Sequence, residues 1–281
     1  MPLVYRLSDY ARYLERVGVA TYVDTSRRCD PARIESVWDR LAEVVQTYGA
    51  PWILQIWTKD AAGVAEVARS EIERVMALGT TVTAQVTCTG LGGTVWEPLA
   101  PANTLREIDT LADLIGGPDH ITWRYDPVIP GVHDPARFAR LAHDAAQQGI
   151  QRGVLNFLAP PARYSRVDKR VAPLLSGWAD GMPGYDRVWM EGTARSLVEI
   201  ATTEGIDLGC CAESAWLHER VADVRPAACG DYDWFARLSG RQPPRVAYRG
   251  SRPGCGCLPY FDLGSYGQWA RCHRCAYCYA G

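Results

Sequence analysis

Short apolar runs alternate with longer stretches of helical periodicity along most of the chain. The runs at 19–24, 51–57, 81–87, 120–125, 152–158 and 206–211 read as buried parallel strands, since strands covered on both faces lose the in–out alternation. Between most of them the spacing predicts helices over 32–48, 61–78, 103–115, 135–148 and 192–204. A short amphipathic helix is expected over 8–17, capped by Ser8. Asp30-Pro31 and Asp134-Pro135 each place an N-cap aspartate before a proline at the first helical position. Gly49, Gly79, Gly149 and Gly205 follow helix ends, where a left-handed residue is wanted. Such alternation implies a parallel sheet with right-handed crossovers. Six units could form a doubly wound sheet or a partial or complete TIM-type β/α barrel. No Gly-x-Gly-x-x-Gly follows the first strand, which favours the barrel. The expected layout is an N-terminal helical extension (1–18), the barrel (19–220) and a cysteine-rich tail (221–281) packed on the barrel mouth.

Length and composition change this picture little, with one exception. A chain of 281 residues, 47% hydrophobic and 22% charged, suits one large α/β domain and excludes wholesale disorder. A net charge of -2 argues against a nonspecific grip on nucleic acid or an anionic membrane. Neither a long apolar run nor a basic segment followed by an apolar core is present, so a cytoplasmic location is expected. The exception is ten cysteines, which a disulfide framework explains poorly in that compartment. Cys255, Cys257, Cys272, Cys275 and Cys278 all fall in the last 27 residues.

In a β/α barrel the active site forms at the C-terminal ends of the strands. Those ends read Asp24-Thr-Ser-Arg27-Arg28-Cys29-Asp30, Gln55-Ile-Trp57-Thr-Lys59, Gln85-Val-Thr-Cys88, Trp123-Arg124-Tyr-Asp126-Pro127, a strand ending near Asn156, and Cys210-Cys211-Ala-Glu213. Arg27, Arg28, Lys59 and Arg124 would converge into a pocket for a carboxylate or phosphate. Trp57 and Trp123 would flank the ligand, and Asp126 and Glu213 would serve as acid/base groups. The plainer alternative is that Arg124 and Asp126 pair with neighbouring rim charges.

The tail closes with Cys272-His-Arg-Cys275-Ala-Tyr-Cys278. Three cysteines at this spacing can face one iron–sulfur cubane. Structural zinc prefers separated Cys-x2–4-Cys knuckles and would leave Cys278 unused. His273 is a possible ligand or a hydrogen-bonding neighbour. Three ligands leave one iron open to a small molecule, S-adenosylmethionine (SAM) or substrate. Cys211, Cys229, Cys255 and Cys257 could hold a second [4Fe-4S] cluster.

These pieces resemble a bacterial and archaeal family of unknown function whose C-terminal cysteine cluster is similar to the one at the N-terminus of radical-SAM domains. The likeness runs through Ser26-Arg27-Arg28-Cys29-Asp30, Trp57-Thr58-Lys59, Thr89-Gly90 with Glu97-Pro98, Trp123-Arg124-Tyr125-Asp126-Pro127, Cys211-Ala212-Glu213 and the tail from Cys255 to Ala280. The resemblance implies a radical-SAM-like TIM-type barrel with an iron–sulfur centre at its mouth. The expectation is therefore an iron–sulfur enzyme of radical-SAM type acting on a small anionic substrate. SAM would be its cosubstrate, and an electron donor such as ferredoxin or flavodoxin its partner. A SAM-independent iron–sulfur lyase or transferase is the alternative, favoured by the absence of Gly-Gly-Glu. A metal-stapled, non-catalytic binding protein is the third reading.

Overall fold

The computed structural model of the protein describes residues 6–210, 212–221, 223–247 and 255–280. Its strands are β1 (Tyr22–Asp24), β2 (Ile53–Thr58), β3 (Thr81–Thr87), β4 (Ile121–Val128), β5 (Arg152–Phe157), β6 (Asp207–Cys210), β7 (Arg225–Pro226) and β8 (Phe261–Asp262). The α-helices are α1 (Leu7–Val17), α2 (Ser36–Tyr48), α3 (Ala61–Ala77), α4 (Asp109–Ile115), α5 (Pro135–Gln147), α6 (Ser165–Val171), α7 (Arg187–Thr203) and α8 (Tyr232–Ser239). All strand pairs are parallel, in the order β7-β6-β5-β4-β3-β2-β1-β8. The strands therefore follow one another in chain order and the last returns to pair with the first, the arrangement of a TIM-type β/α barrel.

Between β7 and β8 the amide of Leu258 donates to the Gly230 carbonyl at 2.9 Å. Gly230 is needed there because a Cβ would stand 2.3 Å from Cε1 of the buried Tyr22. Overpacking a fixed aromatic ring costs about 1–3 kcal/mol. Gly230→Ala is therefore expected to lower the thermal midpoint by several degrees, and an unchanged midpoint would show that this junction is not close-packed.

The predicted runs 51–57, 81–87, 120–125 and 152–158 appear as β2–β5, the end of 19–24 as β1, and 206–211 as β6. Other elements differ for identifiable reasons. Asp30 does not cap a helix at 32; helix α2 starts at Ser36, because the Asp30 carboxylate is engaged by Thr58, Lys59 and His273. Ser8 lies within α1, whose N-cap position is Arg6. The segment 103–115 opens as a 3-10 turn (Thr104–Glu107) capped by Asn103 before α4 begins. Helix α7 begins earlier than 192, capped by Asp186, and α6 was not anticipated. Within the segment read as the tail, β7 and β8 join the same sheet, α8 packs its Phe235 against Tyr22 of β1, and α1 packs its Tyr10 against Phe261; residues 263–280 then run over the mouth without strands. Among the described residues, no helix is long and apolar enough to cross a membrane.

Side-chain parity along β4 positions the site. Trp123 and Tyr125 point outward, where Trp123 stacks on Phe138 of α5 at 5.1 Å between ring centroids. Arg124 and Asp126 therefore point into the barrel. Trp123 is fully buried behind the strand, its Nε1 donating to the Cys88 carbonyl at 3.0 Å. It cannot flank a ligand at the mouth, contrary to the sequence expectation, because a residue of opposite parity to Arg124 must face the helices.

Candidate functional site

The C-terminal strand ends enclose a cavity of about 460 Å³. Arg27, Arg28, Lys59, Arg124, Asp126 and Trp57 line it, as do Cys229, Cys255, Cys257, Cys272, Cys275 and Cys278. Cys211 and the side chain of Glu213 lie outside the described residues.

The ends of β1, β2 and β4 contribute ion pairs. After β1, Arg27 pairs with the fully buried Asp24, which also accepts from Trp57 Nε1 at 3.0 Å. Burial pushes the Asp24 carboxyl up to about 6, against the pull of Arg27. Ser26 shapes the loop, its hydroxyl accepting from the amides of Arg28 (2.8 Å) and Cys29 (3.0 Å). Arg28 pairs with Asp262 of β8 at 3.3 Å. After β2, Lys59 Nζ meets Glu97 Oε1 at 3.1 Å, and the same oxygen accepts from Thr89 (2.5 Å) and Tyr277. On β4, Arg124 pairs with Asp126 and donates to Cys229 Sγ at 3.2 Å. The guanidinium groups of Arg27 and Arg124 both lie over the Trp57 ring, at 4.7 and 4.9 Å from its centroid.

Arg27, Arg28, Lys59 and Arg124, expected to form a pocket for an anion, line one cavity, and each also has a carboxylate partner. The low dielectric of a barrel interior requires it, since an unpaired buried charge costs several kcal/mol. The pairing of Arg124 with Asp126 is the plainer alternative weighed from the sequence. Asp126 remains partly open to the cavity, its side chain 26% exposed against 5% for Arg124.

The cysteines form two groups around the cavity. Cys229, Cys255 and Cys257 sit where β7 and β8 adjoin. Hydrogen bonding from Cys257 holds the Cys255 thiol low, whereas Cys257 itself is pushed up by Cys229, Cys255 and burial. Cys272, Cys275 and Cys278 lie on the closing loop. Burial pushes the Cys272 thiol up to about 12 and raises Cys275 as well. Cys272 Sγ accepts from the amide of Asp30 at 3.3 Å. Among the described residues, no three His, Cys, Asp or Glu side chains stand close enough to hold a single metal ion.

His273 is not available as a ligand. Its Nδ1 meets the Leu99 carbonyl at 3.0 Å and its Nε2 meets Asp30 Oδ2 at 2.8 Å, both nitrogens being engaged in a buried setting. Asp30 also accepts from the Thr58 hydroxyl (2.8 Å) and the amides of Lys59 (2.6 Å) and Ala32 (3.0 Å). Glu97, Tyr260, Tyr277 and Cys29 also belong to the site surroundings. All four fall in segments that carry the family resemblance, Glu97 in the Glu97-Pro98 pair after the third strand.

One family model, a domain of unknown function (DUF1848), matches residues 33–280. The chain belongs to this family. The match runs from α2 to the closing cysteine loop of this DUF1848 protein and begins after β1. No curated protein matches the chain. Among solved structures, it is similar to a beta-mannanase from Streptomyces thermolilacinus (16% identity, 91% of each chain, TM-score 0.39). It is also similar to deoxyribose phosphate aldolase from Aeropyrum pernix (14% identity, 82% of this chain and 94% of that one, TM-score 0.34). A third likeness is to Rhizobium etli pyruvate carboxylase (13% identity, TM-score 0.35), where 75% of this chain matches only 22% of the other.

Proposed function

We propose that this DUF1848 protein is an iron–sulfur enzyme of radical-SAM type that acts on a small anionic substrate at the barrel mouth. The observation that carries this reading is the convergence of seven cysteines, Cys29 and the two groups of three, on one cavity with a polar, ion-paired floor. The donor set suits iron, because cysteine thiolates are the ligands that hold iron–sulfur clusters.

Cys272, Cys275 and Cys278 would hold one cluster. Cys229, Cys255 and Cys257, with Cys211, would hold a second. A cluster held there would supply the electron for reductive cleavage of SAM. Arg27 and Arg124, held at fixed separation by Trp57, orient the anionic end of the substrate, assisted by Arg28 and Lys59. Asp126 is the carboxylate placed to take or give a proton, and Glu213 is the second candidate. Tyr260, Tyr277 and Tyr279 narrow the opening and limit water.

A SAM-independent lyase or transferase is the second reading. It is favoured by the 3.2 Å contact between Arg124 and Cys229, which would set the substrate's anion directly against the cysteine set. The two separate in one assay. Anaerobically reconstituted protein with dithionite and SAM is expected to release 5′-deoxyadenosine. Its absence from a protein that holds iron and sulfide would reject the radical reading in favour of the second.

A further inference from the structure

We propose that the exposed basic rim around the cysteine loop is the docking surface for an acidic electron-carrier protein; this rests on the iron–sulfur reading above. The segment 263–280 contains no acidic residue, in a chain whose net charge is -2. Its two cations, Arg271 and Arg274, are both exposed. Neighbouring elements extend the same sign. Arg33, exposed, donates to the Arg271 carbonyl at 3.4 Å. On α6, Arg170 donates to the carbonyls of Ala276 and Cys278, which places exposed Lys169 of the same helix beside the loop. Exposed Arg163 lies over Tyr164, whose ring packs 5.8 Å from that of Tyr279. The acids on these elements are few: Glu35 beside Arg33, and Asp168, which accepts from Trp178 Nε1 at 3.0 Å.

Apolar side chains sit inside this rim. Tyr279 (40% exposed), Leu99 (38%) and Val95 (67%) flank the loop, which is tied to their segment by Leu99 N–H to His273 O and Ala276 N–H to Trp96 O. An apolar centre within a charged rim is the composition of a protein interface, and a single-sign rim steers a partner of opposite sign. Cys272 and Cys278 are only half-buried beneath this face, so a redox centre held there lies next to the docked carrier. The step is an outer-sphere transfer: one electron leaves the reduced carrier and enters the oxidised cluster, with no bond or proton moving. An acidic protein is favoured over nucleic acid because the rim surrounds the cysteine loop and has an apolar centre.

The test uses the full chain and a reduced, acidic two-cluster bacterial ferredoxin. Cluster reduction is followed by stopped flow and complex formation by titration calorimetry. Arg33→Glu/Arg163→Glu/Lys169→Glu is expected to slow reduction by ferredoxin at least about tenfold, because steering contributes factors of that order. The variant should also weaken the complex, and reduction by dithionite should be unchanged. Rising salt should slow the wild type towards the variant, and Arg69→Glu on α3 should behave as wild type. An unchanged ferredoxin rate, an equal fall with dithionite, or preferential binding of a single-stranded DNA oligonucleotide would overturn the proposal. Failure of the iron–sulfur reading itself would show differently, as no iron in wild type and variant alike.

Discussion

Asp30→Ala is expected to destabilise the protein more than any other single substitution at the mouth, by about 3–5 kcal/mol, the cost of breaking a buried pair. This carboxylate joins three parts of the molecule. It accepts from its own loop (Ala32), from the end of β2 (Thr58 and Lys59) and from the closing loop through His273. Removing it leaves two amides, a hydroxyl and an imidazole without their acceptor in a region closed to water. For a domain of this size the loss corresponds to a fall in Tm of roughly 10 °C. Burial alone would push the Asp30 carboxyl up, but His273 and the amide donors more than reverse this and hold it below its ordinary value. Burial likewise works against the charge on His273, which Asp30 outweighs, so the imidazole is held above its ordinary value. The pair's contribution is therefore fully present between the two unfolded values. It is lost in acid as Asp30 protonates, and lost in base as pH rises through the folded His273 value. Thermal scans of wild type and Asp30→Ala across pH check both statements. A shift of less than about 2 °C at neutral pH would mean that the loop is not anchored through this residue.

Cys272→Ala/Cys275→Ala/Cys278→Ala is expected to abolish iron binding at the closing loop while leaving the barrel folded. In a metal staple, binding energy is folding energy, and losing the metal unfolds the domain. Here protein groups fix the loop independently of its thiols. His273 is held by Asp30 and Leu99, Tyr277 by Glu97, and the carbonyls of Ala276 and Cys278 by Arg170. The amides of Ala276 and Leu99 complete the attachment, bonding Trp96 and His273 carbonyls respectively. The triple variant should therefore unfold within a few degrees of the metal-free wild type and keep its far-ultraviolet circular dichroism. Loss of cooperative unfolding would instead support the stapled, non-catalytic reading.

Much of the barrel is legible in the sequence because β2–β5 are runs of six to eight residues with helices between them. The two-residue strands β7 and β8 carry no pattern; pairing with β6 and β1 creates them. Arg27, Arg28, Lys59, Arg124 and Asp126 were found because the strand ends of a barrel converge on one mouth. Two of the pairings have no local spacing, since Asp262 and Glu97 reach Arg28 and Lys59 through tertiary contacts, whereas Asp24 stands only three positions before Arg27. Trp123 shows a different failure. Its neighbours Arg124 and Asp126 fix the inward parity of β4, and period two then assigns Trp123 to the outer face. Asp30 accepts from the Ala32 amide at 3.0 Å just as Asp134 accepts from Ala136 at 2.9 Å, but only Asp134 is followed directly by a helix, α2 beginning at Ser36. What diverts Asp30 is a histidine 243 positions away.

The most direct measurement is iron, sulfide and zinc analysis of anaerobically purified protein, followed by EPR of the dithionite-reduced sample with and without SAM. The expected result is about four irons and four sulfides per chain, or about eight if both cysteine groups are loaded, with a reduced-cluster signal that changes when SAM is added. Zinc alone, with no iron under strict anaerobiosis, would contradict the iron–sulfur assignment of the cavity.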